Sequence, residues 1–232
     1  REGKGVVICE SVEEAVATAQ AMFAGRFGAA GDRIVVEEFL EGEEASFIVM
    51  ADGRNVLPLA SSQDHKRLLD NDCGPNTGGM GSYAPVAGLE AAEVGELVDA
   101  VHRPALAELA RRGAPFVGLL FAGLMLTDDG PRVLEFNCRF GDPETQSVLP
   151  LLGSDLLEPL AAAASGELDG VEVRASPDAA VTVVLAARGY PAEGDRGSPI
   201  SGVEEAEAAG ALVFHAGTAV QGTQLVTNGG RI

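Results

Sequence analysis

Two turns constrain the fold of this chain more than any other feature. Asp52-Gly53 separates the run Ala45–Met50 from Asn55–Leu59, and Thr127-Asp128-Asp129-Gly130 separates Phe116–Leu126 from Pro131–Asn137. A short Asp- and Gly-bearing link between apolar runs is a strong β-hairpin signal, because glycine accepts the positive φ that such turns need. Helices are signalled separately. Ser11 and Glu14 stand at capping-box spacing, and Val12, Ala15, Val16, Ala19, Met22 and Phe23 recur every three to four residues. Leu89–Arg112 reads as a second helix, kinked or restarted around Pro104, and Asp155–Ala164 as a third. Further strands are expected at Val6–Ile8 (buried), Arg33–Leu40, Ala179–Ala187 and Leu212–Thr218, and residues 61–88 read as one long ordered loop. The texture changes from about Val173, which places a domain boundary near 172.

The formal net charge of −19 excludes a general nucleic-acid surface, since a phosphate backbone needs basic patches. No apolar run approaches the roughly 20 residues of a membrane helix, and nothing resembles a signal peptide. Cys9, Cys73 and Cys138 form neither a zinc pattern nor a disulfide framework and read as free thiols in a reducing cytoplasm. Of 16 basic residues only Lys4 and Lys66 are lysines, so a compact ammonium is kept at two loop positions.

The densest chemistry lies in Val133–Glu144. Alternate residues of a strand share a face, so Glu135 and Asn137 project together, with Phe136 and Cys138 opposite. A carboxylate and an amide oxygen side by side suit Mg²⁺, which takes one or two protein oxygens and completes its shell with water and phosphate. A solvated strand end is the alternative for an isolated Glu-x-Asn; Arg139, Asp142 and Glu144 around Gly141 and Pro143 favour a site. In Gln63–Arg67, Lys66 and Arg67 suit phosphate oxygens, though such charge runs also occur as plain surface. Gly74–Gly81 lets backbone N–H groups approach an anion, or is a flexible loop. Glu37–Glu44 is either an acidic turn or a hinge that reads an adenine edge. His102 and His215 read as structural.

Taken in order, Gly3–Val7, Glu37–Glu44, Gln63–Arg67, Gly74–Gly81, Glu135–Gln146, Val213–Thr218 and Asn228–Arg231 closely resemble glycinamide ribonucleotide synthetases (phosphoribosylamine–glycine ligases) of the ATP-grasp superfamily. The resemblance implies an α+β fold: two ATP-grasp subdomains that sandwich the nucleotide, then part of a small β-rich C-terminal domain. The expected division is 1–36 (partial small subdomain), 37–172 (large subdomain) and 173–232 (partial C-terminal domain). It implies ATP-dependent joining of glycine to 5-phosphoribosylamine through glycyl phosphate, in a cytoplasmic, monomeric enzyme of purine biosynthesis that uses Mg²⁺ or Mn²⁺ and engages neither nucleic acid nor membrane. By the same resemblance, Glu135 and Asn137 hold the metal. Lys4, Glu37, Glu38, Phe39, Leu40, Glu44, Arg67 and Asn76 bind the nucleotide. Asp64, Gly78, Gly79, Met80, Arg139, Asp142, Pro143 and Glu144 face the substrates, with Lys66, Arg139 and Asp142 taking part in catalysis. The family's N-terminal domain, a lysine before the glycine loop and the end of its C-terminal domain are not in this sequence, and Glu2 stands where a small residue is common. A span incomplete for catalysis is therefore expected. Other carboxylate–amine ligases of the same fold, or a nucleotide-binding module without turnover, are the alternatives.

Overall fold

The computed structural model describes residues 6–232 and divides into two compact units, the first ending at Glu41 and the second spanning Gly42–Ile232. Lys4 and its flanking glycines lie outside the described residues.

In the first unit, helix α1 (Val12–Ala21) starts where the cap signal places it: Ser11 Oγ accepts the Glu14 N–H at 3.1 Å, and Glu14 reaches back to the Glu10 N–H at 2.9 Å. A π-turn (Met22–Arg26) and a 3₁₀ turn (Gly28–Asp32) follow. The strands expected at Val6–Ile8 and Arg33–Leu40 do not form. Arg33 has extended backbone, but a strand is held by its ladder, and neither segment pairs with another among the described residues. Val35 and Val36 are 82% and 86% exposed, so the β-branched composition that suggested a strand has no sheet face to pack on.

The second unit is organised by a four-stranded antiparallel sheet, in order β2 (Val56–Pro58), β1 (Glu43–Asp52), β7 (Val117–Thr127), β8 (Gly130–Asn137). Both expected hairpins are present. Asp52 closes the first by accepting the N–H groups of Arg54 and Asn55 at 2.9 and 2.6 Å, and it also accepts the Leu168 N–H at 3.0 Å. Strand β1 is buried from Ala45 to Asp52 because both faces of the sheet are covered, which explains its continuous apolar run. Ala45, Phe47 and Val49 pack with Ala122, Leu124 and Leu120 against helix α2 (Ala91–Arg111). Ile48 and Met50 pack with Phe121, Val148 and Ala163, the last from helix α4 (Leu157–Ser165). Burying each large side chain contributes roughly 1.5–3 kcal/mol. Helix α2 runs unbroken through the exposed Pro104 and starts on a Glu90/Glu93 capping box. His102 on α2 is fully buried, in edge contact with Phe136 (centroids 6.4 Å apart), and neither ring nitrogen has a hydrogen-bond partner.

Residues 61–88 are not one loop. They contain the short strands β3 (Gln63–Asp64), β4 (Arg67–Leu69), β5 (Cys73–Asn76) and β6 (Gly81–Ala84). β6 pairs with β3 on one side and with β9 (Ala180–Val183) on the other. Helix α3 (Glu144–Val148) follows the turn after β8. Beyond β9, strands β10 (Asp195–Pro199), β11 (Thr218–Gln221) and β12 (Gln224–Gly229) form a sheet in order β10-β12-β11, with helix α5 (Val203–Ala208) between β10 and β11. Residues 212–217 are not the strand their composition suggested; regular pairing begins at Thr218. No helix among the described residues is long and apolar enough to cross a membrane.

Candidate functional site

Strand register places the site on one face of the main sheet. Residues opposite each other in an antiparallel pair point to the same side. Ser46 lies opposite Gly123, which lies opposite Glu135; Glu44 lies opposite Met125, and Phe121 opposite Asn137. Glu44, Ser46, Glu135 and Asn137 therefore share a face, with Gly123 standing between Ser46 and Glu135 in the register. The register shift in β8 falls at Leu134, before Glu135, so the expected alternation survives it: Phe136 turns to the other side and meets His102. Glu135 is exposed and Asn137 half-buried at the open end of the strand. Two accessible hard oxygens on one strand face fit a divalent ion that takes its remaining ligands from phosphate and water. No cluster of three or more His, Cys, Asp or Glu side chains suited to a metal occurs among the described residues, so these oxygens would act with a ligand rather than as a closed cage.

Three loops meet this face. Lys66 donates to Glu44 Oε2 at 2.5 Å, and Gln63 Nε2 donates to the Glu44 carbonyl at 2.7 Å. Burial acts to lower the Lys66 pKa, but Glu44, Asp64 and Glu135 outweigh it and hold the ammonium above its ordinary value. Asp64 follows Gln63 on β3. Burial is the first cause that pushes its pKa up to about 7, with the Glu144 charge second; Lys66 acts in the opposite direction. Its Oδ1 is buried without a hydrogen-bond partner. Glu144, at the start of α3, is 4% exposed and accepts from Ser46 Oγ at 3.2 Å; burial raises its pKa too. The preceding turn is fixed from β6, where Ser82 Oγ donates to the Pro143 carbonyl at 2.8 Å.

The Gly74–Gly81 segment supplies the third side. Thr77 binds the Lys66 carbonyl through both its N–H (2.7 Å) and its hydroxyl (2.8 Å), and its Oγ1 accepts the Gly79 N–H at 3.0 Å. Gly79 has φ +104°, and a Cβ there would lie 2.7 Å from Asp64 Oδ1 and collide with Pro143, so only glycine allows this approach.

Of the residues singled out from the sequence, Glu44, Asp64, Lys66, Gly78, Gly79, Met80, Asp142, Pro143 and Glu144 are drawn together here, with Glu135 and Asn137 on the adjoining sheet face. Arg67 and Asn76 are cross-strand partners on the β4–β5 ribbon, where Arg67 donates to the Gly74 carbonyl at 2.6 Å. Arg139 is exposed and donates to the Phe140 carbonyl at 2.6 Å and to Asn137 Oδ1 at 3.5 Å. Glu37, Glu38 and Phe39 (exposed) and Leu40 (half-buried) belong to the first unit.

Two contributors carried no local signal. Arg231 pairs with Asp142 Oδ2 at 2.7 Å and donates to the Gly78 carbonyl at 2.5 Å, while the Tyr190 hydroxyl accepts the Gly78 N–H at 2.9 Å. The matching run Asn228–Arg231 drew attention to Arg231 only as part of a pattern. Tyr190 lies in none of the matching runs. An open cleft beside them is lined by Asp142, Gln146, Thr182, Phe214, His215 and Arg231.

The covered antiparallel sheet, with exposed strand-end oxygens and glycine-bearing loops on one face, is that of an ATP-grasp protein. The biotin carboxylase domain of the Hydrogenobacter thermophilus 2-oxoglutarate carboxylase shares the fold, with TM-score 0.57 and 17% identity over 84% of this chain and 42% of that one. The model of the phosphoribosylglycinamide synthetase ATP-grasp (A) domain matches residues 1–145, and that family's C-domain model matches 180–232. The chain belongs to the phosphoribosylglycinamide synthetase family. The Vibrio cholerae phosphoribosylamine–glycine ligase is 53% identical over 99% of this chain and 54% of its own length. The crystal structure of the Thermotoga maritima phosphoribosylamine–glycine ligase superposes with TM-score 0.86 and 37% identity, over 99% of this chain and 57% of that one. The chain thus spans about half the length of the relatives it matches.

Proposed function

We propose that this chain carries the metal and acyl-activation end of an ADP-forming phosphoribosylamine–glycine ligase, which joins glycine to 5-phosphoribosylamine through glycyl phosphate in the cytoplasm. The observation that carries the reading is the convergence of Glu44–Lys66, Asp64, the Gly78–Met80 loop and the Asp142–Glu144 turn beside Glu135 and Asn137 on one sheet face. When bound, ATP with Mg²⁺ or Mn²⁺ supplies the phosphoryl group that activates the glycine carboxylate.

The chain's own groups divide the remaining work. Glu135 and Asn137 are the metal ligands, and Lys4, Lys66, Arg67 and Asn76 serve the phosphates. Glu37–Leu40 and Glu44 serve the adenosine. Lys66 and Arg139 place positive charge where the acyl transfer concentrates negative charge, which is the largest single source of rate in such steps. Asp64 and Glu144 offer carboxylates to the ammonium of an amino-acid substrate. The buried floor made by Thr77, Gly79, Pro143 and Glu144 keeps water from the activated acid.

The test is ADP release by the full-length enzyme across a panel of acids and amines. Release that needs both glycine and 5-phosphoribosylamine is expected. Turnover that ignores glycine would overturn the assignment and favour another carboxylate–amine ligase; nucleotide binding without turnover would favour a binding module.

A further inference from the structure

We propose that Arg231 is a positioning residue: its guanidinium clamps the Gly78–Gly79 loop to the Asp142 turn and so holds the two substrate-facing segments in one geometry. The inference rests on the ligase reading for its kinetic consequences, but its geometric content stands apart from it. One side chain reaches four acceptors: the carbonyls of Gly78 (2.5 Å), Gly79 (3.4 Å) and Asp142 (3.3 Å), and Asp142 Oδ2 (2.7 Å). The segments it joins lie 153 and 89 residues away in sequence.

The backbone carrying Arg231 is itself pinned. Its carbonyl accepts the Gly217 N–H at 2.9 Å, it bridges to Ala186, and its neighbours close hydrogen bonds to Ala187 (2.7 Å) and Leu185 (2.8 Å). Tyr190 adds a second tie from the same side. Its ring lies against Gly230, and its hydroxyl accepts the Gly78 N–H. Gly78 is thus held at its N–H by Tyr190 and at its carbonyl by Arg231.

The ion pair by itself does not account for this arrangement. The Asp142 side chain is 48% exposed, and an ion pair that open to solvent contributes little. Geometry does account for it. A planar five-donor fork can serve two carbonyls on one loop and a carboxylate on another at once, whereas an ammonium on a flexible stem cannot hold that spread. The clamped residues are the ones that matter: Gly79 touches Asp64, and Asp142 begins the turn that carries Glu144.

The experiment compares R231K, R231Q and Y190F with wild type in the full-length enzyme, reading amide hydrogen exchange alongside kinetics. We expect exchange at residues 78–80 and 141–144 to accelerate roughly tenfold in R231K and R231Q, with β1 and β7 amides unchanged. We expect kcat to fall roughly 10- to 100-fold while the KM for ATP stays within about twofold, and more ADP to be released per product formed. Y190F should show a smaller change confined to 78–80. Wild-type exchange and wild-type coupling of ADP to product in R231K and R231Q would overturn the proposal. So would a loss of stability in R231K with kcat and coupling intact, which marks a merely structural tie. If R231Q does not fold, R231K and Y190F decide by the same exchange readout. A wild-type enzyme without glycine-dependent ADP release would sink the ligase reading instead, leaving exchange to judge the clamp.

Discussion

Replacing Asp64 with asparagine should stabilise the protein at neutral and higher pH while damaging its chemistry. In the fold, the Asp64 carboxyl titrates at about 7 rather than at its ordinary 3.8, because burial and the Glu144 charge both oppose its ionisation. Its Oδ1 has no hydrogen-bond partner to offset that cost. Each pH unit between the two values corresponds to about 1.4 kcal/mol, so the ionised carboxylate costs the folded state about 4 kcal/mol, an upper limit. The sign follows from linkage. Between pH 3.8 and 7 the folded state keeps a proton that the unfolded state releases, so the favourable contribution of the protonated acid is complete below 3.8 and is lost as pH rises to 7. The asparagine amide mimics the neutral acid and does not titrate. Urea denaturation of wild type and D64N should therefore show a gap in favour of the variant that grows from pH 5 to pH 8, where it reaches at most about 4 kcal/mol. Activity should fall at least roughly tenfold at every pH, a common trade where a site holds an ill-solvated charge. A gap that does not grow with pH, or a variant less stable than wild type at pH 8, would refute the argument from burial.

Three further outcomes are expected from the same structure. Glu135→Ala removes an exposed strand-end carboxylate and should change stability by no more than about 0.5 kcal/mol while abolishing turnover and the Mg²⁺ dependence of nucleotide binding by calorimetry; a folded, fully active variant refutes the metal assignment. Gly123→Ala meets only ordinary contacts, 3.5 Å to Phe121 and 3.7 Å to Glu135, and its φ is not positive. It should leave stability unchanged or raise it by about 0.5–1 kcal/mol, yet lower kcat by setting a methyl against the Glu135 side chain; wild-type turnover would mean that Glu135 tolerates it. His102 has a pKa lowered by burial, which the nearby Phe47 and Leu120 backbone only partly opposes, so the unfolded state takes up its proton first as pH falls below 6.5. Wild-type stability should therefore decline relative to His102→Leu below pH 6.5, by up to about 1.4 kcal/mol per pH unit, and parallel stability curves for the two proteins would contradict it.

What was legible in the sequence is what one element decides by itself. The hairpins at Asp52-Gly53 and Asp128–Gly130 depend on turn chemistry and two neighbouring runs, and both formed. The shared face of Glu135 and Asn137 depends only on the two-residue period of a strand, and it survived a bulge because the extra residue, Leu134, precedes both. Where a second, distant segment must agree, composition misled in both directions. Val35 and Val36 favour a strand but have no ladder partner among the described residues, so the strand does not form. Gln63–Asp64 and Gly81–Ala84 look like loop, yet pair because β9, about a hundred residues later, continues their sheet. The site obeys the same division. Asp64 next to Lys66 is visible as a charged run, but its raised pKa comes from burial and from Glu144, far along the chain, which a hydrogen bond from Ser46 helps to seat. Arg231 is the extreme case, since nothing about an arginine after two glycines signals that it closes on Gly78 and Asp142. Glu135 and Asn137 sit on one strand, but the grouping of Asp64, Gly79 and Glu144 exists only once β1, β6, the turn into α3 and the segment carrying Arg231 have closed on one another. Cutting the Arg231 tie should therefore loosen the Gly78–Gly79 loop and the Asp142 turn together, while β1 and β7 stay in place.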